Sequence, residues 1–483
     1  MAGSQRCSQC TIRKKRCDRT RPKCGRCRKV GLKCSLDGSG ENTAMLAPVQ
    51  DRFPSDPFQD VLSVYMGSTA PSDFPGRLEP YFKGLNKWLP VVDEERLYRR
   101  WHDLLGGHYD ASVSLLILSC FLLVGVSQSQ SVESRTSNLE LYVRIVSFRS
   151  ALLMRLEMSL EVLQVSVLLA LYEHLEGSHV AAAGTIASAT RIADGLGYLH
   201  WHCGSRSDEA RLVDEEGRRI AWCLYALERM IVSVHYDDDL APASFSCPTP
   251  CLKTSLLDQD LCLGSGMSLQ CKKTCGRARP TVSIMAKSTP SWFSRLCQAA
   301  LLLEMAISDC HELSMVDESD SESRIAGLDG AINMLATSLL QDRNQGSHIN
   351  CSLLAMCVSA MIILHDRTGN QTPNCRVTNG HEHHAVIDTA IRMVFDRANI
   401  VPFLEYRHSQ VISLWELHCF FHSAEIFFRH GLDKAANASY QKALRIMKST
   451  FEEYKSHWGL AGQLLLRIRW NPTILTDPSE TTL

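Results

Sequence analysis

Six cysteines at the N-terminal end constrain the folding of this chain more than any other feature of its sequence. They are separated by two, six, six, two and six residues, so the second three repeat the spacing of the first three; in order they are Cys7, Cys10, Cys17, Cys24, Cys27 and Cys34. In each repeat, the Cys-x2-Cys pair can bind one metal ion from a tight turn, and the third cysteine can complete the shell after a short helix. The spacing therefore predicts a small metal-stabilised unit with two halves.

The number of thiolates limits how many ions this unit can hold. Two tetrahedral Zn2+ ions need eight ligand positions, and six thiolates fill eight only if two of them bridge. The repeat makes the first cysteine of each half, Cys7 and Cys24, the natural bridging pair. Because residues 1–35 contain few apolar side chains, we expect zinc to supply most of their folding free energy, on the order of 10 kcal/mol.

Charge is distributed unevenly along the 483 residues. Residues 1–35 carry twelve Lys or Arg and one acidic residue, whereas the remainder has a formal charge of -12 within a total of -1. A basic unit on an acidic body predicts that the unit contacts a polyanion. Four consecutive basic residues, Arg13 to Arg16, lie on the short helix of the first half. We therefore expect this helix to enter the major groove of double-stranded DNA and the second half to contact the backbone.

The segment from Arg6 to Cys34 resembles the Zn2Cys6 binuclear cluster of fungal transcription factors. The six cysteines, the basic run and the proline between the two halves match the family pattern, and Thr11 stands where the family often carries Arg. The resemblance implies two Zn2+ ions and a lysine that contacts a CGG-type triplet, here Lys14. Lys15 is the second candidate for base contact, since an ammonium group favours guanine N7 and O6. The other basic residues are expected to contact phosphates; they are Arg13, Arg16, Arg19, Arg21, Lys23, Arg26, Arg28 and Lys29.

Residues 36–77 have the composition of a linker. Their prolines and small polar residues predict at most a short helix from Asp60 to Met66. No heptad pattern of three or more turns follows the cysteine unit. The sequence therefore leaves two states open, a monomer on DNA or a homodimer formed through the large domain.

Residues 78–470 predict a large all-α regulatory domain, a bundle or an irregular helical array, followed by a C-terminal tail at 471–483. Apolar residues recur at helical spacing from Val180 to Leu196 and from Ile220 to Val234. Residues 245–290, rich in Ser, Lys, Gly and Cys, predict a long loop.

The longest apolar run, Val113 to Val126, predicts a buried helix rather than a membrane span, because a span needs about 20 residues. The N-terminus has no apolar segment typical of a secretory signal, so we expect the twenty cysteines to be thiols or metal ligands rather than disulfides.

Three stretches of the large domain resemble the fungal-specific transcription factor domain, also called the middle homology region. The first is Tyr81 to Val92. The second consists of Gln164 to Glu173 and Ala193 to Gly197. The third is Gly217 to Arg229, where Glu228 replaces the usual Asp. The resemblance implies a nuclear regulator that contacts the transcription machinery. In many members the domain is self-inhibiting or responds to a small-molecule effector.

Other patterns do not predict catalysis. His381 to His384 lack the spacing that directs two imidazoles at one ion, and the cysteines at 247–275 contain no Cys-x2-Cys pair. Cys223 and Cys419 lie on apolar helix faces and are expected in the core.

The favoured function is a sequence-specific regulator of RNA polymerase II transcription, not an enzyme, that binds CGG-type triplets and serves one pathway such as a metabolic gene cluster. The alternative is a helical ligand-binding or enzymatic protein that uses a structural zinc knot for RNA or protein contact.

Overall fold

The chain divides into two compact units, Met1–Asp60 and Val61–Leu483. The structure, a computed structural model, describes residues 17, 18, 24, 28, 29, 74–106, 108, 110–128, 132–199, 208–234, 292–312, 318–341, 348–371, 413–430 and 438–468. All regular structure in these residues is α-helical, which confirms the predicted fold class for the large domain. The helix predicted at Asp60–Met66 and the loop predicted at 245–290 lie outside the described residues.

Fourteen helices make up most of the described part of the larger unit. They are α1 (Phe74–Lys83), α2 (Leu85–Trp88), α3 (Glu94–Leu105), α4 (Ala111–Gln128), α5 (Val132–Met154), α6 (Leu160–Leu175), α7 (His179–Gly195), α8 (Asp208–Val234), α9 (Trp292–Glu312), α10 (Glu318–Gln341), α11 (His348–Gln371), α12 (Leu414–His430), α13 (Ala438–Tyr454) and α14 (Gly459–Arg467).

Helix α6 is the centre of one half of this unit. Every residue from Leu160 to Leu175 is buried, and the helix packs against α4, α5, α7, α8 and α14. A helix with apolar residues on every face needs such neighbours, since each exposed apolar face would cost free energy in water. Its start is fixed by Ser159, whose side chain accepts a hydrogen bond from the backbone N–H of Val162.

Helix α11 has the same role in the other half, where it packs against α9, α10 and α12. Helix α8 joins the two halves, because it contacts α6 and α7 on one side and α9 and α12 on the other. Both helices that the sequence predicted for Ile220–Val234 and Val113–Val126 are present and buried. None of the described helices combines the length and apolar character needed to cross a membrane.

Helix α7 ends in a turn that contains a glycine with left-handed backbone. Gly197 has a φ of +82°, and the backbone N–H of Tyr198 donates to the carbonyl of Ala193 at 2.9 Å. This geometry closes the last turn of a helix with a left-handed glycine. Val180 lies in the predicted helix and is 87% exposed, because it is on the side of the helix opposite the buried Ala182.

Candidate metal centre and nucleic-acid interface

Two of the six predicted zinc ligands are described, and they come from different halves of the cysteine repeat. Cys17 closes the first half and Cys24 opens the second, and both thiols are buried. Their sulfur atoms lie within 4.8 Å of each other. Two sulfurs bound to one tetrahedral zinc ion at about 2.3 Å are separated by about 3.8 Å. The two thiols are therefore placed so that one ion can bind both.

Asp18 is the third member of this group. One of its carboxylate oxygens lies within 4.8 Å of both sulfurs, and its side chain is exposed. No other three His, Cys, Asp or Glu side chains among the described residues bring their ligand atoms this close. Thiolates are the stronger zinc ligands in structural sites. Because the Asp18 carboxylate is exposed, it can stay hydrated beside the ion and need not be a ligand. The group therefore fits a thiolate zinc site with a carboxylate at its edge.

A helical turn leads away from Cys24 and carries two of the predicted phosphate contacts. The backbone N–H of Arg28 donates to the carbonyl of Cys24 at 3.0 Å. Arg28 and Lys29 have helical backbone and exposed side chains. Two exposed cationic side chains on the turn that follows Cys24 can bind phosphate oxygens.

The remaining predicted residues of this unit lie outside the described residues. They are the ligands Cys7, Cys10, Cys27 and Cys34, the base contacts Lys14 and Lys15, and the phosphate contacts Arg13, Arg16, Arg19, Arg21, Lys23 and Arg26. His381 to His384 and the cysteines at 247–275 also lie outside them. Cys223 and Cys419 are buried, which confirms the prediction that they belong to the core.

In the larger unit, Arg96 of α3 joins two elements that are far apart in sequence. Its guanidinium donates to Glu161 of α6 at 2.7 Å and also to Glu216 of α8. Gln164 of α6 donates to Glu216 at 3.0 Å and to the carbonyl of Val91 at 2.9 Å. Burial raises the pKa of Glu216, and the positive charge of Arg96 opposes this rise. One polar network therefore ties together the first two stretches that carried the resemblance, through Val91 and Gln164, and reaches Glu216, the residue just before the third.

A second charged group secures the end of α8. Arg229 is buried, pairs with Glu228 at 2.9 Å and also bonds Glu304 of α9, while its guanidinium lies 5.0 Å from the ring centroid of Tyr225. Burial lowers the pKa of Arg229, but the charges of the two glutamates outweigh burial and raise it overall. Glu228 thus acts as the partner of its neighbour inside the fold, so the acidic-Arg pair in the resemblance has a structural role here.

Sequence reasoning missed a chain of three imidazoles, of which His174 and His418 are buried. His174 of α6 lies 3.1 Å from His418 of α12 and 3.3 Å from His179 of α7, and His179 lies 2.9 Å from the side-chain oxygen of Gln463 in α14. Only the pair at 174 and 179 is close in sequence, so no local pattern could have predicted the group.

Comparison with known protein families assigns both parts of the chain. Residues 5–42 match the fungal Zn(2)-Cys(6) binuclear cluster domain, and residues 78–260 match the fungal specific transcription factor domain. Both are transcription factor domains and neither is an enzyme family. A search of the curated proteins gave no match. The first match contains the described thiol pair, and the second contains the polar network around Arg96.

Proposed function

We propose that this protein regulates RNA polymerase II transcription by binding CGG-type triplets in the nucleus. The premise is that the chain carries a zinc-binding, DNA-binding cluster domain and a fungal specific transcription factor domain, and is thus a fungal transcription regulator. The observation that carries the proposal is the buried pair Cys17 and Cys24, one thiol from each half, within reach of one ion. One ion bound to both thiols would join the two repeats into a single DNA-binding unit.

The metal centre that we propose holds two Zn2+ ions on six thiolates. Cys24 bridges the ions together with Cys7, and the other ligands are Cys10, Cys17, Cys27 and Cys34. Support for the bridge comes from the position of Cys24, which belongs to the second half yet lies beside the last ligand of the first half. Bound zinc would supply the folding free energy that the few apolar residues of this unit cannot.

The DNA contact that we propose divides the basic residues by role. Lys14 and Lys15 donate to guanine N7 and O6 in the major groove. The phosphate contacts are Arg13, Arg16, Arg19, Arg21, Lys23, Arg26, Arg28 and Lys29, and the exposure of Arg28 and Lys29 supports their part in it. Phosphate contacts set the position and the affinity, whereas the two lysines set the sequence preference.

We assign the DNA-binding domain to residues 1–35, the linker to 36–77, the helical regulatory domain to 78–470 and the tail to 471–483. The regulatory domain has no proposed catalytic residue. Its role is to contact the transcription machinery and to respond to an effector, and the target is a single pathway such as a metabolic gene cluster. The match to a transcription factor domain supports this division of roles.

In vitro selection from random duplex DNA tests the proposal. The full chain with zinc should enrich CGG triplets, and Lys14→Ala should abolish the enrichment while keeping most of the salt-dependent binding. Lys83→Ala, which removes an exposed lysine of the helical unit, is the matched control and should leave the selected sequence unchanged. Enrichment that survives Lys14→Ala would contradict the base-contact assignment. Equal binding to RNA and to any DNA would favour a zinc knot of another function.

A further inference from the structure

A glutamine of the C-terminal helix α14 fixes the hydrogen positions at one end of the imidazole chain. The side-chain nitrogen of Gln463 donates to the backbone carbonyl of Gly177 at 3.2 Å, and the side-chain oxygen lies 2.9 Å from Nε2 of His179. Because a backbone carbonyl can only accept a hydrogen bond, the amide cannot be turned the other way round. His179 therefore has to donate to Gln463 through an Nε2–H.

This one donor determines the tautomers of all three rings when they are neutral. A neutral imidazole carries one N–H, so Nδ1 of His179 accepts, and the Nδ1–H of His174 donates to it across 3.3 Å. Nε2 of His174 then accepts from the Nε2–H of His418 at 3.1 Å. The neutral chain thus satisfies each of these contacts in a single direction, from His418 to Gln463.

A proton added to His179 disrupts this order. Both nitrogens of an imidazolium are donors, so the new Nδ1–H would face the Nδ1–H of His174 at 3.3 Å. His179 is also the first residue of α7, where the aligned peptide dipoles place partial positive charge. Since His179 is partly exposed whereas His174 and His418 are buried, a proton from water reaches His179 first. Protonation there therefore breaks the contact with His174.

The acidic residues at the end of α6 already interact with arginines of α5. The positive charge of Arg149 acts on Glu173, and the positive charge of Arg135 acts on Glu176. A carboxylate whose charge is balanced by a guanidinium stabilises a second cation less. These two glutamates therefore do not offset the repulsion that an imidazolium at His179 meets.

Other ionisable groups on the surrounding helices have partners of their own. Glu416 of α12 accepts from the backbone N–H of Ser413 at 2.9 Å, and Arg467 of α14 donates to the carbonyl of Val234 at 3.1 Å. Helix α4 has no charged residue. The further groups with partners are Asp194 of α7, Glu228 and Arg229 of α8, Asp366 of α11, His422 and Glu425 of α12, and Glu452 and Lys455 of α13. We therefore expect His179 to set the response of this chain to acid.

The contact with His179 holds α14 against the turn between α6 and α7. A Cβ at Gly459, the first residue of α14, would lie 2.5 Å from the carbonyl oxygen of Glu176, so the backbones approach closely here. One turn further along, Gln463 bonds both the turn and His179. Helices α6 and α7 belong to the family-matched region, whereas α14 lies far beyond it. His179 thus connects the matched region to the C-terminal helix.

We propose that His179 is an acid-sensitive latch between the family-matched region and α14. At neutral pH the neutral ring accepts from His174 and donates to Gln463, and α14 stays on the turn. As pH falls below about 6.5, the ordinary range of imidazole, proton uptake breaks the contact with His174, and His179 turns out to water and leaves Gln463. The regulatory domain then loosens its C-terminal helix in response to acid. This latch does not rest on the proposed DNA-binding function.

Hydrogen exchange of the full chain, followed by mass spectrometry, tests the latch. The open state binds the proton and the closed state excludes it, so the open fraction should rise about ten-fold between pH 7.5 and pH 5.5. After correction for the intrinsic pH dependence of exchange, peptides of α14 should therefore exchange about ten-fold faster at the lower pH. Peptides of α11 are the internal reference and should change by less than about two-fold.

The variant His179→Gln separates the latch from general destabilisation by acid. Its amide keeps a donor for Gln463 and an acceptor for His174, and it does not titrate in this range. The acid response of α14 should shrink to less than about two-fold. His108→Gln makes the same replacement at an exposed histidine and should keep the wild-type response. Gln463→Met removes the acceptor of the latch and should leave α14 in fast exchange already at pH 7.5.

Nitrogen-15 NMR of the histidine-labelled chain tests the direction of the hydrogen bonds independently. Near pH 8, His174 should carry its hydrogen on Nδ1, whereas His179 and His418 should carry theirs on Nε2. Each signal is assigned by its loss in the corresponding His→Gln variant.

Four results would overturn the proposal. An Nε2–H tautomer at His174 would contradict the direction of the chain, and equal exchange of α14 at both pH values would contradict its opening. An acid response that persists in His179→Gln would place the titrating group elsewhere. A joint change of tautomer at His174 and His418 in acid would mean that the chain reverses instead of opening. None of these measurements uses DNA, so a failure of CGG selection is distinguished from a failure of the latch.

Discussion

The Nε2 atoms of His174 and His418 lie 3.1 Å apart between helices α6 and α12, and both rings are buried. One imidazole has to donate an N–H and the other has to accept it. The contact joins positions 244 residues apart, so it connects the central helix of the family-matched region to a helix far beyond residue 260. The regulatory unit therefore extends past the matched region through a specific polar contact.

We expect His418→Ala to lower the free energy of unfolding by about 2 kcal/mol, because it leaves a buried ring nitrogen of His174 without this partner. Urea unfolding of the single and double variants measures the coupling. The losses from His174→Ala and His418→Ala should sum to more than the loss in the double variant. His108→Ala, at an exposed position, is the control and should change stability little. Strict additivity would show that the two rings do not interact.

Zinc content distinguishes a bridging ligand from a terminal one. The purified chain should contain two zinc ions, measured by atomic emission. Cys24→Ser should weaken the binding of both ions, because a bridging thiolate belongs to both coordination shells. Cys17→Ser should weaken the binding of one ion. Cys120→Ala, which removes a buried thiol of α4, should keep the full zinc content. Equal losses from the two cluster variants would contradict the assignment of Cys24 as a bridge.

The sequence predicted the parts of this protein that local patterns encode. The cysteine spacing identified the cluster domain that residues 5–42 match, and helical periodicity found the buried helices around Ile220 and Val113. It could not predict the network of Arg96, Glu161 and Glu216, because these residues are 65 and 120 positions apart in the hydrogen-bonded pairs. Burial of a charge depends on which helices meet, and the sequence of one helix does not specify its neighbours.

The sequence of α5 also fails to predict its packing, because it does not identify which side of the helix is buried. Apolar residues occur on both sides of this helix, so periodicity gives no single buried face. Only the packing distinguishes the buried Ile145 from the exposed Val143. The exposed apolar side of α5 therefore became visible only in the structure.

Salt dependence separates phosphate contacts from base contacts. We expect Arg28→Ala to weaken binding to all duplex sequences alike and to reduce the slope of log affinity against log salt by about 0.9, the value for one phosphate. Lys29→Ala should behave in the same way. Lys83→Ala serves as the control in the helical unit, and its salt slope should equal that of the wild type. A change in the preferred triplet on replacing Arg28 would show that this residue reads a base.

Two helical glycines should respond to alanine in opposite directions. A Cβ at Gly217 of α8 would overlap the ring of Tyr198, whereas a Cβ at Gly184 of α7 would meet no atom within 4 Å. We expect Gly217→Ala to destabilise the fold by about 1–3 kcal/mol through this overlap. Gly184→Ala should stabilise it by about 0.5–1 kcal/mol, since alanine favours the helix. Thermal unfolding measures both, and a stabilising Gly217→Ala would show that Tyr198 moves aside freely.

The buried carboxyl of Glu173 should make stability depend on pH. Glu173 accepts a hydrogen bond from the hydroxyl of Tyr142 at 2.8 Å, and burial raises its pKa although the charge of Arg149 opposes the rise. A carboxyl with a raised pKa binds its proton more tightly in the folded state, so its contribution is fully present below the ordinary pKa and is lost as pH rises. Glu173→Gln keeps an acceptor for Tyr142 and cannot ionise.

We therefore expect Glu173→Gln to match the wild type near pH 4 and to become progressively more stable than the wild type as pH rises toward 7, by several degrees in Tm at most. Differential scanning calorimetry over a pH series measures the difference between the two chains, which removes the contribution of every other titrating group. Glu157→Gln, at an exposed position in the turn after α5, is the matched control for the substitution itself. A wild type that gains on the variant with rising pH would mean that the ionised carboxylate is stabilised by its surroundings, with the charge of Arg149 outweighing burial.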